Sequence, residues 1–496
     1  MSKPRIAAML VLFTAAAGIE AVRLSSLSAL SNHEVWWHLR SGLWILQHHQ
    51  LPHSGAFSQS SSQPWIAVSW GYDTLLTGAY NLLGLRAIPG LLMCFKVALA
   101  LLTFVLAGGL RGKFWPAVLL SVAVQYILGN TSPGPIYFSI LCFGTEFLLL
   151  LKSRVVGSKV LIWLPVLFLA WANLDVHFVY GIVLFVFYLG ALAIVRVWRS
   201  EGEDAVSFRA ACVPVLLSLL ATLITPYFYH PYSVFLASIS SAANGYFPDF
   251  RSMSFHQPQD YALLLLAMGA FLALGMQRSR DPFLIGVLVG CAIFSFHSQG
   301  DGWVVTLASL AVITTAIPER EMTVSDHLGS WQGCEAAVVV LVILIAAFAC
   351  VPRDGEALLA KVGQSYPVEA AAYIREHRLQ QPIFNNYEWG GFLDWYLPEY
   401  PAAIDGRAEL YAGDFLIQYF SAMNASVPYS EFPAMRQAKT LLLPANSLMG
   451  QALRNVPGFQ VAYSDKVAVV LTKGQTTNEL QSVLQTNKDY EAQVKP

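Results

Sequence analysis

The feature that most limits what this chain can become is a succession of apolar runs, separated by short stretches that carry lysine and arginine. After an apolar run at 6–24 they occupy roughly 88–108, 114–129, 134–151, 159–173, 178–198, 209–226, 260–276, 282–296, 302–317 and 333–351. A helix needs about 20 such residues to cross a bilayer, and lipid leaves every backbone group to be satisfied within the segment. The expected fold is therefore a polytopic α-helical membrane protein with about eleven spans. Composition agrees: 55% of the residues are hydrophobic and 12% charged, with a mean hydropathy of +0.51. A net charge of −1 provides no basic field for nucleic acid, so no nucleic-acid partner is expected. The six cysteines lie in or beside apolar runs without CxxC spacing, which points to neither a zinc site nor a disulfide framework.

Orientation follows from the positive-inside rule. Lys3 and Arg5, Arg111 and Lys113, Lys152 with Arg154 and Lys159, Arg196 with Arg199 and Arg209, Arg278 with Arg280, and Arg320 all fall on one side under this count, which is then cytoplasmic and holds the N-terminus. The basic start and the run 6–24 resemble a signal peptide but read better as a retained anchor. Consistency requires that 71–84, apolar but short and carrying Asp73, be re-entrant or interfacial, with Arg86 left as an exception on the outer side. The outer side then receives 32–65, 130–135, 173–177, 226–259 and 297–301, which hold nearly all the unusual polar residues. Ionisable groups near membrane depth are costly unless they face water or a partner, so this one-sidedness favours a polar cavity open to the outer face. Loops that are merely wet are the plain alternative.

Beyond 351 the charge density becomes ordinary and the pattern is that of a small soluble α/β domain. Helices are predicted at 367–379, 388–397, 414–424 and 446–454, and strands at 382–385, 402–405, 439–443, 459–464 and 467–472. The domains are thus a transmembrane domain over 1–351 with its first outer loop at 25–70, an extracytoplasmic α/β domain over 352–474, and a tail at 475–496.

Within the first outer loop, a helix over 34–47 places Glu34, His38 and Ser41 on one face by i, i+4, i+7 spacing. Its tryptophans suit a membrane interface, with the polar stripe turned to the cavity. Glu34 can serve as a positioned general base, and His38 or Arg40 can bind a phosphate; a helix cap or an ion pair of Glu34 with Arg40 or His38 is the structural alternative. Asp175 and His177 diverge in a helix but share a rim in an extended break. With Glu34 and His38 they offer oxygen and nitrogen ligands for a divalent cation, although no spacing specifies one and no cofactor is otherwise implied. Arg251, His297 and Asp301 are further binding candidates on outer loops. Asp405 and Arg407 follow a predicted strand, where α/β folds tend to place ligand residues, or else form a local ion pair.

Several of these residues carry a resemblance. The acidic residue after the first span, the Trp-Trp-His-Leu-x-x-Gly helix (Trp36 to Leu39, then Gly42), the Asn-Tyr-Glu-Trp-Gly-Gly segment from Asn386 and the Asp-Gly-Arg-Ala-Glu-Leu-Tyr segment from Asp405 resemble a group of bacterial multi-pass proteins. That group is similar to the GT-C superfamily of membrane glycosyltransferases. The likeness covers two patches, near 32–70 and 383–411. It implies a sugar donor on a polyprenyl phosphate, a lipid or glycan acceptor, transfer at the outer face of the bacterial inner membrane, and Glu34 as base or acceptor-orienting group; Asp175 is a second catalytic candidate from the residues themselves, with capping of the helix end as its structural alternative. The chain departs from the pattern at Asn32, where an acid is expected, at Asn173–His177, and at His297–Asp301, where a basic residue is expected. A glycosyltransferase is the leading expectation. A lipid or solute transporter or flippase, and a catalytically silent assembly protein, are the alternatives.

Overall fold

The computed structural model describes residues 16, 30–110, 112–198, 207–318, 330–411 and 413–474. Most of the first apolar run and the tail 475–496 lie outside the described residues. The helices are α1 (His33–His48), α2 (Trp70–Leu83), α3 (Ala87–Leu106), α4 (Phe114–Ile127), α5 (Ile136–Val156), α6 (Leu164–Leu174), α7 (Phe178–Trp198), α8 (Phe208–Ala221), α9 (His230–Ile239), α10 (Pro258–Met276), α11 (Pro282–His297), α12 (Gly302–Ala316) and α13 (Ser330–Ala349). The C-terminal region adds α14 (Gly355–Val362), α15 (Val368–Glu376), α16 (Tyr387–Tyr396), α17 (Gly413–Met423), α18 (Pro433–Gln437) and α19 (Leu448–Leu453). Four strands complete it: β1 (Ile383–Asn385), β2 (Thr440–Pro444), β3 (Phe459–Ser464) and β4 (Ala468–Lys473). Two compact units result: one from Met1–Ala29 with Ile66–Arg353, the other from Leu30–Trp65 with Asp354–Pro496.

The first unit is a helical bundle of a membrane protein. Among the described residues four segments are long and apolar enough to cross a membrane, Trp70–Leu106, Ile136–Val156, Phe178–Val197 and Pro258–Met276, and several apolar helices are shorter. The expected count of eleven spans is thus not reproduced by length and composition, because runs such as 114–129 and 159–173 include 3-10 turns beside α4 and α6 that shorten the helix proper. Segment 71–84 is helical and continues through a short 3-10 turn at Gly84–Arg86 into α3. At its start an added Cβ on Gly71 would lie 2.6 Å from the Asn173 carbonyl oxygen; just after it, Arg86 donates to the carbonyls of Phe348 (3.1 Å) and Val351 (3.4 Å). The exceptional Arg86 therefore serves the last carbonyls of α13, which need donors and favour a cation. The interior is aromatic: Phe143, Phe147, Phe168 and Trp171 are buried, and Phe143 meets Trp303 edge to face at 5.4 Å.

In the second unit, Leu30–Trp65 groups with the chain after Asp354. This segment packs into the α/β domain. Trp36, wholly buried, meets Tyr366, Phe392 and Trp395 with ring centroids 5.6, 5.3 and 4.9 Å apart. The backbones of α1 and α16 can approach only because residue 391 lacks a side chain, and Gly390 likewise admits the backbone of 404–405. A Cβ on Gly391 would stand 2.8 Å from the Trp37 nitrogen, and one on Gly390 would stand 2.0 Å from the Ile404 oxygen. Gly391→Ala is expected to destabilise this unit by about 1–3 kcal/mol, as overpacking does, seen as a lower melting midpoint in tryptophan fluorescence; an unchanged midpoint would show that the helices can part freely.

The sheet order is β1-β2-β4-β3, with β1 parallel to β2 and the other pairs antiparallel. The strand predicted at 402–405 is absent, apart from one bridge between Ser58 and Ala402. Its backbone is satisfied by side chains instead: Ala402 N–H donates to Asp394 Oδ1 (3.1 Å), Ala403 N–H to Asn385 Oδ1 (2.8 Å), and Asn385 Nδ2 donates to the Ile404 carbonyl (2.7 Å). Gln59 stitches the outer loop to the same stretch, donating from Nε2 to the carbonyls of Ile383 (2.7 Å) and Pro401 (2.9 Å).

Candidate functional site

In the bundle, the chain breaks between α6 and α7 at Asp175, whose backbone is extended (φ −159°, ψ 146°). The extended break turns Asp175 and His177 to the same side, and His177 Nδ1 lies 3.0 Å from Asp175 Oδ2. Ser139, in the first turn of α5, donates its hydroxyl to the same oxygen, and Val176 N–H donates to Oδ1 at 2.9 Å. Trp171 Nε1 in turn donates to Ser139 Oγ at 2.6 Å, so the hydroxyl is oriented from behind. Asp175 is only 2% exposed while His177 is half-buried, which places the imidazole between the carboxylate and the surface. A carboxylate with both oxygens fixed can orient a hydroxyl or accept its proton.

The row continues across α7. The His177 and Tyr180 rings are parallel with centroids 6.0 Å apart, and the Tyr180 phenol bonds Asp301 at the α11–α12 break. That break is tied to the loop before α10: Gln299 N–H donates to the Arg251 carbonyl (2.8 Å), Met253 N–H to that of Phe296 (3.3 Å), and Ser298 Oγ to that of Asp249 (3.0 Å). Arg251 and His297 are exposed, and Arg251 Nε donates to the Gly245 carbonyl at 2.8 Å. The loops 173–177, 226–259 and 297–301 therefore gather at one end of the bundle. Ser139, Trp171 and Tyr180 are unforeseen members, since each sits inside or beside an apolar run with no local signal. Lys96 is another: buried in α3, it donates to the carbonyls of Leu128 (2.9 Å) and Gly129 (3.3 Å) and lies 5.4 Å from the Tyr137 ring centroid.

In the second unit α1 starts as predicted, and its start is capped by Asn32, whose side chain accepts from the N–H groups of Glu34 (2.8 Å) and Val35 (3.3 Å). The departure at Asn32 is thereby a helix cap, and Asn32→Ala is expected to cost about 1 kcal/mol of stability, read as a fall in melting midpoint. Glu34 is half-buried, and its carboxylate makes no hydrogen bond or ion pair among the described residues. His38 is 2% exposed and stacked on Trp37 with centroids 3.6 Å apart. Arg40 likewise turns inward, over the Phe57 ring at 5.5 Å, and burial lowers its pKa against the opposing field of Asp394. Phe57 holds a left-handed backbone (φ 64°) beneath both this guanidinium and that of Arg407, whose Cζ is 4.2 Å from the ring centroid.

Asp405 and Arg407 take the structural alternative. Both are fully buried; Arg407 Nη2 donates to Asp405 Oδ2 at 2.7 Å and Nε to Oδ1 at 3.0 Å, and Nη1 reaches the Ala56 carbonyl at 3.3 Å. Trp65 Nε1 donates to Glu409 Oε1 at 2.9 Å and lies over Arg407, so the Asp-Gly-Arg-Ala-Glu segment anchors the outer loop. Burial alone would raise the Asp405 carboxyl, but Arg407 holds it below the usual range. Asp394 behaves oppositely: burial, then the Asp405 charge, push it well above that range, and its Oδ2 has no partner. Its stabilising contribution is therefore full below the unfolded carboxyl value near 4 and is lost as pH rises through the higher folded value. Asp394→Asn keeps the acceptor for Ala402 and should raise the melting midpoint at alkaline pH while leaving it unchanged at pH 4; a lower midpoint at alkaline pH would show that the ionised form is the stabilising one.

For a divalent cation, no group of three or more His, Cys, Asp or Glu side chains among the described residues is placed to hold one. A cation held by one carboxylate and a substrate phosphate remains compatible with Asp175.

No protein-family model matches the chain, and no curated protein matches it by sequence. Solved structures do. The oligosaccharyltransferase AglB of Archaeoglobus fulgidus, in complex with an inhibitory peptide and a dolichol-phosphate, is similar with a TM-score of 0.52 at 11% identity, covering 94% of this chain and 74% of that one. The same enzyme tethered to an acceptor peptide gives 0.52 at 11% identity over 95% and 74%. ArnT of Cupriavidus metallidurans, bound to undecaprenyl phosphate, gives 0.47 at 14% identity over 94% and 98%, too low a score to build on. The fold is therefore similar to that of this oligosaccharyltransferase.

Proposed function

We propose that this chain is a glycosyltransferase that moves a sugar from a polyprenyl-phosphate donor to a lipid or glycan acceptor at the outer face of the bacterial inner membrane. The observation that carries the reading is the Asp175 carboxylate, fixed at a helix break by Ser139, Val176 and His177 in a bundle similar in fold to AglB. The dolichol-phosphate bound by AglB supports a lipid-phosphate donor here. In the reaction the acceptor hydroxyl oxygen attacks the anomeric carbon as the bond from that carbon to the phosphate oxygen breaks. The electron pair stays on the phosphate, the hydroxyl proton passes to a carboxylate, and the anomeric centre inverts. Asp175 takes that proton or orients the hydroxyl, and Glu34 is the second carboxylate offered by the resemblance. His177, with Arg251, His297 and Asp301 on the neighbouring loops, would meet the donor's phosphate and sugar.

Purified protein supplied with polyprenyl-phosphate-linked sugars and envelope lipid or glycan acceptors should release free polyprenyl phosphate in step with glycosylated product. Counter-flow of intact lipid-linked sugar in proteoliposomes, without product, would instead establish a flippase.

A further inference from the structure

Between Arg209 and Asp249 the chain carries no Lys, Arg, Asp or Glu, and this uncharged stretch holds most of α8, the turn after it and α9. On α8 the side chains left outside the bundle form one helical stripe: Val213, Leu217, Leu220 and, just past its end, Ile224, all large, apolar and exposed. Such a stripe on the outside of a membrane bundle meets acyl chains. It runs on through Phe228 and Tyr229, both exposed, where Phe228 takes a left-handed backbone (φ 52°) and turns the chain into α9.

Helix α9 has three sides rather than two. Pro231, Phe235 and Ser238 (i, i+4, i+7) are buried or half-buried and face the bundle; the Phe235 ring meets those of His177 and Tyr180 edge to face, with centroids 6.4 and 5.9 Å away. His230, Ser233 and Ala237 (i, i+3, i+7), polar or small, are exposed along a second side. Tyr232, Leu236 and Ile239 (i, i+4, i+7) make the third, where Leu236 is 60% and Ile239 53% exposed. Tyr232 ties this third side to α8: its hydroxyl bonds that of Thr222 at the C-terminal end of α8, and its ring meets Phe178 edge to face at 5.1 Å. In water, Leu236 and Ile239 would stand against solvent together with Phe228 and Tyr229. In the interface of a bilayer each side of α9 instead meets a matching medium: protein, water and lipid.

We infer that α9 lies in the interfacial region of the leaflet at the Asp175 end of the bundle, with Leu236 and Ile239 against phospholipid chains, and forms a wall between that leaflet and the row of His177 and Tyr180. This placement holds with or without transferase activity, so its test needs none. Full-length protein carrying the photoreactive residue benzoylphenylalanine in place of Leu236 or Ile239, or of Ser233 or Ala237, is irradiated in vesicles of phosphatidylethanolamine and phosphatidylglycerol and measured by intact-mass spectrometry. Adducts with the mass of one phospholipid are expected from positions 236 and 239, and their loss from 233 and 237. Equal lipid adducts at all four positions would overturn the orientation. Cross-links from 236 and 239 to a second copy of the chain, or no adduct at either, would overturn lipid as the occupant. Because a bulky residue could disturb the helix, the unaltered protein is also labelled with a phospholipid that carries a diazirine near the top of one acyl chain. Label within 228–239 is expected, and label confined to other segments refutes the placement.

Discussion

Asp175→Asn is expected to lower the transfer rate by about 10²- to 10⁴-fold, the usual loss when a positioned acid or base is removed. The amide keeps an oxygen for the Val176 N–H but cannot take a proton, and its nitrogen turns a donor toward Ser139 or His177, which already donate there or face the same atom. The loss should fall on kcat and leave KM for the lipid-linked donor nearly unchanged, as removal of an interaction made only in the transition state does. Ser139→Ala removes one of three supports and leaves the carboxylate, so about tenfold is expected. Single-turnover release of polyprenyl phosphate measures both. A wild-type rate in the asparagine variant would remove Asp175 from the chemistry and leave Glu34 as the carboxylate to examine.

The largest stability effect is expected from Asp405→Asn. It leaves the Arg407 guanidinium buried without its counter-charge, a change that costs about 3–5 kcal/mol in buried pairs. The pair also ties the Ala56 carbonyl and the rings of Phe57 and Trp65, so the loop 50–65 should loosen together with it, seen as faster proteolysis of that loop and a lower melting midpoint. Its pH dependence has a definite sign. Because the folded Asp405 carboxyl is depressed, its contribution is present above the unfolded value near 4 and is lost as pH falls through the folded one. Asp405→Asn should therefore flatten the acid limb of the stability profile, whereas Asp394→Asn acts on the alkaline limb. A melting midpoint equal to wild type at pH 7 would show that the pair contributes no net stability.

How far the sequence reached depends on how local each determinant is. The four helices and four of the five strands expected after residue 352 are local patterns that the structure contains, and their positions follow from alternation and turn residues; the helices Gly355–Val362 and Pro433–Gln437 were not expected. Residues 402–405 misled because their backbone bonds go to Asn385 and Asp394, distant side chains that no window contains. The amphipathic pattern of α1 shows that an apolar face exists but not what covers it; a membrane interface and Phe392 with Trp395 satisfy it equally, and the structure selects the second. The two patches that carry the family resemblance, near 32–70 and 383–411, consequently include one packed assembly, in which Gly390, Gly391, Asp405 and Arg407 have packing roles. Asp175 and His177 were legible as a pair conditional on an extended break, and the break is there. Ser139 and Tyr180 were not, because their partners are brought to them only by helix packing.

The most direct test of the central claim is a structure of the full-length protein with a polyprenyl-phosphate-linked sugar bound. The account predicts the phosphate beside His177 and Arg251, with the anomeric carbon turned toward Asp175. A lipid phosphate seated elsewhere, with nothing at the Asp175 break, would contradict it.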